Sequence, residues 1–229
     1  MPRLSRAAAQ EREARIVDLA EKLFVRNGYD NTTVDQIVSA MKLAKGTYYY
    51  HFDSKEDLLI AVSDKLISDT SNKLVAVYNQ KQEDIIWRIR NVLKTYQDDF
   101  YRNKDIWTHV YHWRNAALYS RVAHICTKRF TPILEDMLVE AKAAGKIDIP
   151  HPHETAESLL VLFDLATRQL CAKTDHARRV RIFETLRFLL GQILCEECIP
   201  EFAQEQEENV RRAAVKARRR SGRSIGARP

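Results

Sequence analysis

Cysteine is absent from the first 125 residues of this 229-residue chain; four follow, at 126, 171, 195 and 198. A chain of this length needs no disulfide staple, so free thiols in a reducing compartment are expected. Cys195-Glu-Glu-Cys198 has the CxxC spacing, but a structural zinc site takes four ligands, commonly as two close pairs, and no second pair exists. These two cysteines are expected to end a helix. Glycine is just as scarce: none falls between 47 and 144, where Pro132 is the single proline. No segment alternates apolar and polar residues between hairpin signals, which argues against a sheet. No apolar run reaches the roughly 18–20 residues that span a bilayer, and "MPRLSRAAAQEREAR" lacks the apolar core of a secretory signal. A cytoplasmic chain with no membrane partner is the expectation. No Ser-His-Asp set, phosphate loop or HExxH sequence offers a catalytic site, and nothing implies a cofactor. An enzyme would have to be a helical thiol redox protein using the CxxC pair, although no βαβ pattern surrounds it.

Charge of one sign is unevenly spread. Residues 209–229 carry eight Lys and Arg and no acid, so the net charge of +6 leaves −2 on the rest. Residues 1–60 hold nine basic and nine acidic side chains. Charge placement, not total charge, must therefore carry any argument about an anionic partner.

What is present is helical periodicity. Ile16, Leu19, Ala20, Leu23 and Phe24 predict a helix over 8–27, with Gly28 suited to end it. Thr33-Val-Asp-Gln36 and Ser54-Lys-Glu-Asp57 are capping boxes, opening a short second helix and a long one to about 79. Between them, after a tight break at Lys42-Leu43, lies "KGTYYYHF". Helix, short helix, turn, short helix is the spacing of a helix-turn-helix unit. Further helices are expected near 82–102, 104–116, 119–144 (kinked at Pro132), 153–172 and 175–198, with a loop at 145–154. The fold class is all-α: an N-terminal arm and helix-turn-helix domain over 1–57, a larger helical domain over 58–200, and a polar helix and basic disordered tail over 201–229.

Three consecutive tyrosines on a helix point about 100° apart, so one core does not bury them all. "NGYDNTTVDQI", "KGTYYYHF" and "SKEDLL" resemble, at this spacing, the DNA-binding domain of TetR-family bacterial transcriptional regulators over residues 12–60. The resemblance implies that the third helix enters the major groove. Tyr49, Tyr50 and His51 then contact phosphates, as do Thr33 and Lys55. Lys45 and Gly46 reach bases, Thr47 contacts either bases or phosphates, and Tyr48, at a position usually leucine, grazes base edges. Lys42 stands where the family usually has glycine.

In 156–170 and 180–194, Leu159 to Phe163 and Phe188 to Leu190 are unbroken apolar runs, so each helix is apolar on more than one face. The resemblance implies a four-helix homodimer interface, here Leu159, Leu160, Phe163, Phe183, Leu186, Leu190 and Ile193, and two recognition helices on a palindromic double-stranded DNA operator. It also implies a small-molecule effector pocket, for which Trp107, Tyr111, Asn115 and Phe163 are the candidates. Asp105, His109 and His112 share a helical face but lack a fourth metal ligand, so no metal site is expected. The implied activity is repression relieved by the effector, with activation or ligand-independent regulation as the alternative. The arginine-rich tail is read as solvated.

Overall fold

The computed structural model describes residues 6–112, 115–172 and 175–199. Among these, nine α-helices and no strands are found: α1 (Arg6–Asn27), α2 (Val34–Ala40), α3 (Lys45–His51), α4 (Lys55–Tyr78), α5 (Ile85–Arg102), α6 (Lys104–Val110), α7 (Ala116–Ala143), α8 (Pro152–Cys171) and α9 (His176–Ile193). A 3₁₀ turn, Glu196–Cys198, follows. The CxxC pair therefore does not end α9, which stops at Ile193; the two cysteines bracket that separate turn. The tail expected over 201–229 lies outside the described residues.

Local chemistry sets the N-terminal boundaries. Gly28 ends α1 at φ +83°, its N–H donating to Phe24 O. Thr33 Oγ1 accepts from Gln36 N–H while Gln36 Oε1 accepts from Thr33 N–H, a complete capping box. The α2–α3 turn is a Schellman cap: Leu43 N–H reaches Val38 O at 2.9 Å and Lys42 N–H reaches Ser39 O at 3.1 Å. This places Lys42 at φ +54°, in the left-handed region, at a cost of roughly 1–2 kcal/mol for a side chain. Ser54 Oγ accepts from Asp57 N–H and itself donates to the Asp57 carboxylate, so only half of the second capping box forms.

One core runs through the molecule, from Ile16 and Phe24 of α1 through α4 and α5 to Leu134 and Leu138 of α7 and Leu159 of α8. α4 contributes along its whole length, from Leu58 to Leu74, and joins the helix-turn-helix unit to the rest without a break. α7 continues through Pro132. Pro132 and Lys128, whose carbonyl it deprives of a donor, both face solvent, where water can serve instead. Across α4, α5 and α7, Glu140 accepts from Arg88 (buried), Lys81 and Tyr78. The Arg88 guanidinium lowers the Glu140 carboxyl to about 2.

Candidate nucleic-acid interface and its coupling to a pocket

The tri-tyrosine divides as one helix must. Tyr48 is fully buried, packs on Phe52, and donates its phenol to Ser54 O at 3.1 Å. Burial lifts its pKa to about 12, so the phenol stays protonated and keeps donating. Tyr49 and Tyr50 are 48% and 74% exposed. Lys45, Gly46, Tyr49 and Tyr50 span an arc of about 140° on the solvent side of α3. Thr47 is half-buried beside them. Lys45 ion-pairs with Asp35 of α2 at 2.8 Å, which raises its pKa. A Cβ added to Gly46 would meet no heavy atom within 4 Å, so this strip of backbone is open to an incoming surface.

Three of the expected contacts are corrected. Tyr48 does not graze bases: it is the wedge that fixes α3 to the start of α4. His51 is also turned inward, its side chain 3% exposed and its Nε2 without a hydrogen-bond partner among the described residues. Lys55 is spent on the α1–α2 loop. Its ammonium donates to Tyr29 O (3.1 Å) and Thr32 O (3.0 Å) and lies 4.0 Å above the Tyr29 ring. Thr33 remains exposed, its oxygen engaged as a cap acceptor and its O–H free of that duty.

A second feature lies between α4, α5, α6, α7 and α8. Tyr96, Phe100, Trp107, Tyr111 and Phe130 wall a cavity of about 30 Å³, with Cys126, Thr70 and Asp99 adding polar atoms. Asp99 is nearly inaccessible, ion-pairs with Lys73 (2.7 Å) and Arg102 (3.2 Å) and accepts a hydrogen bond from Thr70 (3.0 Å), a polar set that sequence periodicity did not flag. Burial lifts the Cys126 thiol to about 12 and makes it inert at neutral pH. Trp107 and Tyr111 line this cavity. Asn115 does not; it stands at the start of α7, and its side chain donates to His109 O at 2.8 Å rather than capping that helix. Phe163 packs on Tyr96 and lines a separate apolar gap between α8 and α9, with Phe183, Leu186 and Leu190.

Some of the residues expected at a dimer face are already packed within the chain. Leu159, Leu186 and Leu190 are buried inside the chain, and Leu160, Phe163, Phe183 and Ile193 are half-buried. Among the described residues of α8 and α9, the large apolar side chains left in solvent are Val161 (68%), Leu165 (45%), Phe188 (63%) and Leu189 (39%). They lie on the outer faces of α8 and α9.

α6 touches both regions. Its pocket side carries Trp107 and leads to Tyr111; His109 faces the helix-turn-helix unit instead. The His109 ring stacks on Tyr29 at 4.0 Å, and its Nδ1 lies 3.5 Å from Asp30. Burial lowers the His109 pKa, opposed by the Asp30 charge, so the ring is neutral at pH 7. Among the described residues no group of three or more His, Cys, Asp and Glu side chains is placed to hold a metal.

Residues 16–62 match the profile of the bacterial regulatory proteins, tetR family. Over these residues the chain is similar to the DNA-binding domain of TetR-family regulators. The biofilm operon icaADBC negative transcriptional regulator IcaR of Staphylococcus aureus (strain Newman) is 37% identical over 67 residues, 29% of this chain and 36% of IcaR. Matches to the curated relatives span between 22% and 57% of their own length. The TetR-family likeness in fold extends further. A TetR-family transcriptional regulator from Pectobacterium atrosepticum superposes with a TM-score of 0.65 at 21% identity, over 84% of this chain and 98% of its own. Thermus thermophilus FadR, a TetR-family repressor in complex with lauroyl-CoA, gives 0.60 at 17% identity over 80% and 95%. These proteins are regulators, and the thiol redox enzyme weighed from the sequence has no counterpart among them. No described helix is long and apolar enough to cross a membrane.

Proposed function

We propose that the chain is a cytoplasmic, homodimeric transcriptional repressor that binds a palindromic operator and is released by a small-molecule effector. The observation that carries this reading is the solvent face of α3. Lys45, Gly46, Tyr49 and Tyr50 form one polar strip on a short helix that Tyr48 and Phe52 clamp from behind. A rigid helix with an open glycine, a cation and two phenols suits base and phosphate contacts in a major groove. Lys45 reads bases, Gly46 permits close approach, and Tyr49, Tyr50 and Thr33 bond phosphates. Thr47 supports them from the edge of the strip.

Dimerisation uses the outer faces of α8 and α9, where Val161, Leu165, Phe188 and Leu189 stand exposed among the described residues. The effector enters the aromatic cavity. At about 30 Å³ that cavity holds a water, not an organic molecule, so binding must separate its helices. α6 then carries the displacement from Trp107 and Tyr111 to His109 and the Tyr29 loop. Full switching requires about 10⁴-fold preference of the effector for the released state, roughly 5.5 kcal/mol.

Selection of sites from a random duplex pool at near-physiological salt tests the reading. An enriched palindrome supports it and supplies the probe for an effector screen. Recovery of unselected duplex alone, lost as salt rises, would sink it.

A further inference from the structure

Cys195 and Cys198 serve neither the α3 surface nor the aromatic cavity. Cys198 is fully buried, Cys195 is half-buried, and their sulfurs lie 3.0 Å apart. That is about 1 Å beyond the bonded distance of a disulfide. The turn carrying them is held on both flanks. Cys198 N–H donates to Cys195 O at 2.9 Å, and Ile199 N–H to Glu196 O at 3.1 Å. From α5, Arg90 Nε donates to Glu197 O at 2.7 Å; from α9, Arg187 lies 3.4 Å from the Glu196 carboxylate. Gly191 lets the turn fold back on α9, since a Cβ there would stand 2.9 Å from that carboxylate. Two thiols thus face each other on a pinned segment, and joining them orders little that is not already ordered. A zinc site is a poor alternative, because two thiolates fall short of four ligands and no third group stands near among the described residues.

We propose that Cys195 and Cys198 are a reversible modification site that closes to an intramolecular disulfide on reaction with low-molecular-weight disulfides such as glutathione disulfide. Cys195, the accessible thiol, gives its proton to solvent and attacks one sulfur of glutathione disulfide. A bond forms between them, the old disulfide breaks, and one glutathione thiolate leaves and is protonated. Cys198 then loses its proton and displaces the second glutathione from the Cys195 sulfur. The protein dithiol is oxidised, one glutathione disulfide is reduced to two glutathiones, and protons balance through solvent. Burial, and then the adjoining sulfur, hold the Cys198 thiol well above the usual range. This assigns the first attack to Cys195 and leaves Cys198 as the resolving group.

The test incubates reduced full-length protein in glutathione buffers of increasing oxidised fraction, alkylates the remaining thiols, and reads intact mass and peptide maps. The expected result is loss of two hydrogens, a 195–198 cross-link reversed by dithiothreitol, and Cys126 and Cys171 still alkylated after unfolding. Cys195→Ser should abolish the cross-link, whereas Cys198→Ala should leave a glutathione adduct on Cys195. Circular dichroism checks that the buried-site variant folds; if it does not, the wild-type map and Cys195→Ser decide alone. Retention of both thiols in the most oxidising buffer, or cross-links that join two chains or use Cys126 or Cys171, would overturn the assignment.

Discussion

Helices α3 and α8 both leave large side chains in water, and the chemistry of those side chains differs. α3 exposes phenols, a lysine and a bare glycine backbone, groups that hydrogen-bond to water as readily as to phosphate. α8, with α9, exposes Val161, Leu165, Phe188 and Leu189, which gain nothing from water and are relieved only by an apolar cover. The first surface suits an on-and-off polyanion; the second suits a lasting partner. Each is braced from behind by side chains of its own helix that point inward, Tyr48 in one case and Leu159 in the other.

The sharpest way to break this contrast is at the brace of α3. Tyr48→Ala should cost about 3–5 kcal/mol of stability, whereas Tyr50→Ala should stay within about 0.5 kcal/mol and instead weaken operator binding. Urea unfolding and operator titration of the two variants should therefore rank in opposite orders. Next, Phe188→Asp places a carboxylate on the apolar face. We expect a dimer dissociation constant raised at least 100-fold in sedimentation equilibrium, with the subunit still folded; an unchanged constant would remove α9 from the interface.

Gly46→Ala separates folding from recognition. Alanine clashes with nothing in the free protein and should stabilise it by up to about 1 kcal/mol. Operator affinity should nonetheless fall by about tenfold, because the added methyl occupies the approach path. Lys55→Ala should lower the unfolding midpoint through lost hydrogen bonds to Tyr29 O and Thr32 O, about 1.5–3 kcal/mol. If the salt dependence of operator binding drops as well, its ammonium reaches phosphate after all.

The smallest effect concerns pH. The His109 pKa is lower folded than unfolded, so the unfolded chain binds more protons near pH 6. Stability contributed by neutral His109 is complete above about pH 7 and is lost as pH falls through the unfolded value near 6.5. His109→Gln should flatten that part of the melting-temperature profile and leave the high-pH plateau little changed.

Much of the helix-turn-helix unit is legible in the sequence because its signals are local. A cap such as Thr33 with Gln36 reaches three residues, and the left-handed break at Lys42 is announced by the two capping boxes around it. The phase of each helix is not local. Which of three tyrosines turns inward depends on where α4 starts, and Lys55 turns inward because Tyr29, 26 residues earlier, presents a carbonyl and a ring. Apolar runs in α8 and α9 show that two faces are covered without showing which face meets its own chain. The cavity was half legible for the same reason: Trp107 and Tyr111 follow from aromatic enrichment, while Asp99 is a long-range partner of α4.

α4 has 24 residues and therefore a length of about 36 Å. Its C-terminal part lies beside the cavity, and its first turn holds Tyr48 through Ser54. Treated as a stiff rod pivoting at its far end, a tilt of about 5° sweeps the near end by about 3 Å, close to the 3.4 Å rise between base pairs. In a symmetric pair the two sweeps add, so a change too small to see in the packing around Thr70 would set the two reading heads out of step by more than a rung.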